Sequence, residues 1–137
     1  MGNTLKRLSV TGIAAVAIFA TTTVTNASAA SGGAACSVTG ASGSATFTNW
    51  SANYVDISGW VKDTAADGHH VGIRFRSIDH ATGWVTDWPW RTERDGSGST
   101  TSFTTYARPS GDDLDSIGVQ VAVREGTTIV RSCTDWA

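Results

Sequence analysis

Two short runs of alternating apolar and polar residues constrain this chain more than anything else in it. From Tyr54 to Lys62 the odd positions are Val55, Ile57, Gly59 and Val61; the even ones are Tyr54, Asp56, Ser58, Trp60 and Lys62. From His70 to Arg76 the odd positions are Val71, Ile73 and Phe75; the even ones are His70, Gly72, Arg74 and Arg76. A period of two marks a half-buried β-strand, because successive side chains leave the backbone on opposite faces. Each odd set should face a core, and each even set should face water or a partner. Between the runs lies Thr64-Ala65-Ala66-Asp67-Gly68, whose Asp-Gly pair is a strong turn signal.

The expectation is a hairpin with Lys62 opposite His70. Trp60 then covers Gly72, Ser58 meets Arg74, Asp56 meets Arg76, and Tyr54 meets Ile78. A two-residue slip pairs Asp56 with Arg74 instead. Opposite charges across strands contribute roughly 0.2–1 kcal/mol. A one-residue slip would turn the apolar set outward, so burial of that set excludes it.

The rest of the mature chain has the same character. Ala45 to Asn49, Thr100 to Tyr106 and Ile129 to Asp135 are rich in strand formers, and Ser116 to Arg124 alternates cleanly. Trp84 to Glu93 is strand-like, but Pro89 cannot donate to a central ladder, so this run belongs at a sheet edge or a bulge. No helical period appears. About seven or eight short strands separated by regular turns point to an all-β sandwich or barrel; a single antiparallel β-sandwich is expected, whose layout resembles the jelly-roll or immunoglobulin-like accessory modules of secreted enzymes.

Residues 1–29 read as a secretory signal peptide, leaving 30–137 as one secreted domain. Lys6 and Arg7 precede the apolar run Leu8 to Ala20, and Ala27-Ser28-Ala29 fits a small-residue cleavage site. The run is shorter than the roughly 20 residues that cross a bilayer, so no membrane association is expected after cleavage. Loss of Lys6 and Arg7 lowers Lys+Arg from 10 to 8 against 12 Asp+Glu, a mature charge of −4. That balance argues against nucleic acid as a partner, which calls for a basic footprint. The only cysteines, Cys36 and Cys133, lie near the two mature ends. In an exported chain an even count reads as a disulfide, which here would bring the terminal strands together.

The segment Val61 to Val71 (VKDTAADGHHV) continues into Gly72-Ile73-Arg74-Phe75-Arg76-Ser77. A valine-rich strand and a C-terminal Cys133-Thr134-Asp135-Trp136 follow later. In these features the chain resembles small exported proteins of high-GC Gram-positive bacteria. The resemblance implies secretion and a compact β fold, and no chemistry.

Candidate chemistry is sparse. No GxSxG elbow, HExxH pair, phosphate loop or free cysteine is present, so no catalytic residue is assigned and no cofactor is expected. Asp63, Asp67, His69 and His70 are read as a polar turn in which aspartates cap backbone amides, with a metal site as the alternative. Asp112, Asp113 and Asp115 are read as a solvated loop, with calcium as the alternative. Glu93 and Glu125 are expected at the surface.

The six tryptophans carry the strongest hint. Trp84 is expected to be buried. Trp60 falls on the polar parity of its strand, and Trp88 and Trp90 point the same way if the backbone runs extended through Pro89. Sugars stack on exposed indoles, and arginine adds cation–π contacts. The expected site is therefore one sheet face bearing Trp60, Arg74, Arg76, Asp56 and Tyr54, with Trp88 and Trp90 beside it. The expected function is non-catalytic binding of an extracellular glycan or cell-wall polymer by a monomer. The alternatives are a secreted-protein partner or inhibitor target held on Arg94 to Ser99 or Pro109 to Asp115, and a small hydrolase.

Overall fold

The computed structural model describes residues 30–110 and 114–137. The expected signal peptide and the Asp112-Asp113 pair lie outside the described residues. Nine strands occur in order: β1 (Ala30–Val38), β2 (Ala41–Ser51), β3 (Tyr54–Asp63), β4 (His70–Asp79), β5 (Val85–Asp87), β6 (Arg91–Glu93), β7 (Thr100–Ala107), β8 (Leu114–Glu125) and β9 (Thr128–Trp136). They form two antiparallel sheets. Sheet A has the order β1-β2-β3-β7. Sheet B has the order β5-β4-β8-β9, with β6 also paired to β4.

The sheets pack as a sandwich over one apolar core, as the alternation requires. Sheet A sends in Ala45, Phe47, Val55, Ile57 and Val61. Sheet B sends in Val71, Ile73, Phe75, Ile117, Val119, Val121 and Val123. Burying each of the larger side chains stabilises the fold by about 1.5–3 kcal/mol relative to exposure. The Cys36–Cys133 disulfide joins β1 to β9 across the sandwich, with Cα atoms 6.0 Å apart.

The expected hairpin does not form. Both edges of β3 are occupied, by β2 and β7. On β4 one edge pairs with β8 and the other with β5 and β6. Residues 64–69 instead cross from sheet A to sheet B. Sheets stack about 10 Å apart, and six residues span that distance easily. The crossing is held by local bonds, with the amide of Thr64 donating to Gly40 O (3.1 Å), that of Ala65 to Asp63 Oδ1 (3.0 Å) and that of His69 to Asp67 Oδ1 (3.1 Å). The capping role expected of Asp63 and Asp67 is thus present. The pairing of Lys62 with His70, of Trp60 with Gly72, and of Asp56 with either arginine is not.

The edge formed by β5 and β6 carries the interruption expected at Pro89. Asp87 lies opposite Arg76, and Arg91 lies opposite Ile73. Trp88, Pro89 and Trp90 therefore face only Phe75 and Arg74, which makes a β-bulge with one extra residue. The extra residue reverses parity. Trp88 turns inward, packs against the core and donates its indole N–H to Ser77 Oγ (3.0 Å). Trp90 turns outward over Gly72. The two indoles thus point oppositely, contrary to expectation. The same reversal sends Glu93 inward, where it is 1% exposed rather than at the surface. Trp84 departs the other way and is 77% exposed. It follows Gly83, whose φ is 70°, on a turn that carries it beyond the end of the sheet.

Candidate functional site

The residues expected to share one face occupy two. Tyr54, Asp56 and Trp60 lie on the outer face of sheet A. Arg74, Arg76 and Trp90 lie on the outer face of sheet B, on the far side of the core. Trp88 belongs to neither.

The strand register lays out the face of sheet A as rows. One row runs Ser37, Ser42, Lys62, Thr100. The next runs Ala35, Ser44, Trp60, Ser102. A third runs Gly33, Thr46, Ser58, Thr104, and Thr48, Asp56 and Tyr106 follow. Side chains at alternate positions along each strand share this face. Trp60 is therefore flanked by Ser44, Ser58 and Ser102, which are too small to cover it, and by Lys62 along β3, and it stays 37% exposed. Ser58 and Thr104 hydroxyls lie 3.3 Å apart, and those of Ser37 and Ser42 2.8 Å. A shallow depression beside the indole is lined by Ser58, Gly59, Ser102, Phe103 and Thr104.

One end of this face is aromatic and ordered. Tyr54 and Tyr106 stack with centroids 5.8 Å apart, and Arg108 sits over both rings. Asp56 accepts from the Asn49 amide at 2.7 Å and from the Tyr54 hydroxyl. The bond from Asn49, and then that from Tyr54, hold the Asp56 carboxyl below the ordinary aspartate range. The bond to Asp56 raises the Tyr54 hydroxyl above the ordinary tyrosine range, because ionisation would set two anions together. Asp56 is an anchored acceptor at the margin of a hydroxyl surface.

The outer face of sheet B is built differently. Gly72, Gly118 and Ala122 are buried there because long side chains lie flat across them. A Cβ added at Gly72 would stand 3.1 Å from Trp90, and one at Gly118 would stand 2.8 Å from Trp136. Arg74 donates from Nε to Gln120 Oε1 (2.7 Å) and pairs with Asp87 (2.9 Å), which also takes Arg76 (2.6 Å). Gln120, Arg124 and Trp136 were not expected here, although the even positions of the Ser116 to Arg124 alternation carried that information for the first two. Trp136 sits opposite Gly118 through the β8–β9 register, which one strand's pattern does not contain.

The remaining candidates are dispersed. His80 pairs with Asp115 at 3.1 Å, and His69 approaches Glu125 at 3.8 Å. No three His, Cys, Asp or Glu side chains converge on a metal position among the described residues. Asp63 and Glu93, each 1% exposed, are sealed from any polymer, so neither can serve as the acid of a glycosidase without local opening. The 94–99 loop is tied to Asp63 through Ser99 O and the Gly98 amide, at 3.1 and 2.8 Å. Comparison with known proteins finds no matching family, no similar curated protein and no similar solved structure.

Proposed function

We propose that this protein is a secreted, monomeric, non-catalytic binding module whose ligand is a glycan or cell-wall polymer, held on sheet A around Trp60. One observation carries the reading. A third-exposed indole stands among small hydroxyl side chains on the outer face of sheet A, with Lys62 beside it along β3 and Asp56 and the tyrosines toward one end. A sugar ring presents an apolar C–H face and a rim of hydroxyls. The indole suits the former, and the surrounding serines and threonines offer donors and acceptors to the latter. Asp56 and the Tyr54–Tyr106 pair extend the same face. Export is supported by the basic and apolar start of the sequence, by its resemblance to small exported proteins, and by a disulfide compatible with an oxidising compartment.

The test is affinity electrophoresis and tryptophan fluorescence against a panel of neutral wall and plant polysaccharides. Retardation and quenching by at least one of them, reduced tenfold or more in Trp60→Ala with the fold intact, support the reading. No response to any glycan overturns it.

A second reading rests on Trp84. This indole and Val85 are 77% and 46% exposed. Their turn is fixed by Asp79, which accepts from the Thr82 amide (2.8 Å) and the Thr82 hydroxyl (2.9 Å). A rigidly presented tryptophan is the usual anchor of a protein interface, so a secreted protein is the alternative partner. It predicts nanomolar capture of a secreted enzyme that is lost in Trp84→Ser.

A further inference from the structure

We infer that the outer face of sheet B carries a second binding site, an arginine pair stacked on Trp90 that takes the oxyanion groups of an acidic glycan. It is separate from the proposed surface on sheet A and does not depend on it.

The bulge at Pro89 delivers Trp90 to this face, and the missing side chain of Gly72 gives the indole its seat. Arg74 Cζ and Arg124 Cζ each lie 4.7 Å from the centre of the Trp90 ring. The indole is thus a mount for two guanidiniums from neighbouring strands. Stacking removes rotamer freedom before any ligand arrives, which lowers the entropic cost of binding.

Charge on this face is unbalanced. Arg74, Arg76 and Arg124 project from it, and Asp87 is the carboxylate that pairs with the first two. Arg124 has no carboxylate partner among the described residues, and its Nε is buried without an acceptor. The side chains of Arg74 and Arg76 are only 19% and 25% exposed, so water screens their repulsion incompletely. Burial lowers the affinity of Arg74 for its proton; Asp87 opposes this, and Arg76 and Arg124 add to it. An arriving oxyanion supplies Arg124 with the counter-charge it lacks and relieves this repulsion.

The rest of the chain does not share this character: with these arginines included, the full chain has a formal charge of −2 and residues 30–137 one of −4. An acidic protein with a local cationic shelf discriminates against general polyanion binding while admitting an anion at one place. The shelf is flanked by Gln120 and Ser132, which are hydrogen-bonded at 3.1 Å, and by Trp136. That surface suits an extended sugar chain bearing carboxylate or sulfate groups.

The test uses the mature, oxidised protein with polygalacturonate, dextran sulfate and neutral dextran, each by calorimetry at low and moderate salt. The first two separate carboxylate from sulfate as the recognised group. Binding of either one, weakened at least tenfold by Arg124→Gln and reduced by salt, supports the site. Arg124→Lys keeps the charge but loses the planar stack, and should weaken binding by an intermediate factor. Lys62→Gln removes one positive charge from sheet A, on the other side of the core, and should change affinity less than twofold. Absence of binding to both polyanions, equal binding of neutral dextran, or equal losses in Arg124→Gln and Lys62→Gln would overturn the proposal. Neutral-glycan binding lost in Trp60→Ala reports on sheet A alone, so the two ideas fail separately.

Discussion

Reduction of Cys36–Cys133 should lower the stability of this domain by a predictable amount. The bond links residues 97 apart in sequence and joins one edge of sheet A to one edge of sheet B. Beside it the amide of Ala35 donates to Asp135 Oδ2 at 2.9 Å. Releasing a loop of about 100 residues returns as much as about 4.7 kcal/mol of chain entropy to the unfolded state, with about 2–4 kcal/mol usual in practice. An unfolding entropy of about 2.1 cal/mol/K per residue, taken over residues 30–137, amounts to about 0.23 kcal/mol/K. The expected fall in Tm is therefore about 10–20 °C. The assay is differential scanning calorimetry of the oxidised protein, compared with Cys36→Ser/Cys133→Ser. A fall below about 5 °C, with both sulfurs verified as unlinked, would refute the reasoning. It would mean that packing alone holds β1 and β9 together.

Two further outcomes follow from the same geometry. Gly118→Ala places a Cβ 2.3 Å from the carbonyl of Asp135 and 2.8 Å from Trp136. Backbone must move, so chemical denaturation should show a loss of about 1–3 kcal/mol, and a loss under about 0.5 kcal/mol would contradict the β8–β9 register. On the acid side, Asp56 is held low first by Asn49, Asp79 first by the Thr82 hydroxyl, and Asp115 first by His80. A carboxyl with a depressed folded value contributes stability that is present above its unfolded value, about 3.9, and is lost as pH falls through the folded value. Tm should therefore fall steadily below about pH 4, less steeply in Asp79→Asn, and a Tm that is flat or rises on acidification would contradict these contacts.

The alternation of Tyr54 to Lys62 and His70 to Arg76 identified the core side chains and the direction each strand faces. Val55, Ile57, Val61, Val71, Ile73 and Phe75 are all within 2% of full burial. What alternation does not contain is the sheet to which a strand belongs. Two neighbouring strands can share a core face as a hairpin, or meet face to face across the core as an arch, and both send the same residues inward. The choice is made by long-range pairing with β7 and β8, which the local pattern does not record. That one ambiguity separates Trp60 from Arg74 and Arg76.

The bulge is the second illegible element. Pro89 announced an interruption, but not whether it added a residue to the ladder. The addition decides that Trp88 enters the core, that Trp90 leaves it, and that Glu93 is buried. The disulfide was legible because an even count of two cysteines, read with an expected export signal, points to one pairing. The hydroxyl rows around Trp60 were legible residue by residue, yet not as a surface, because their assembly depends on four strands in register.

The most direct test of the account is an amide and indole chemical-shift map of the labelled domain titrated with a neutral oligosaccharide. The account predicts shifts at the Trp60 indole and at Ser44, Ser58, Ser102 and Thr104 on β2, β3 and β7, with β4 and β8 unmoved. Shifts confined to β4, β8 and the Trp84 turn, with Trp60 silent, would contradict it.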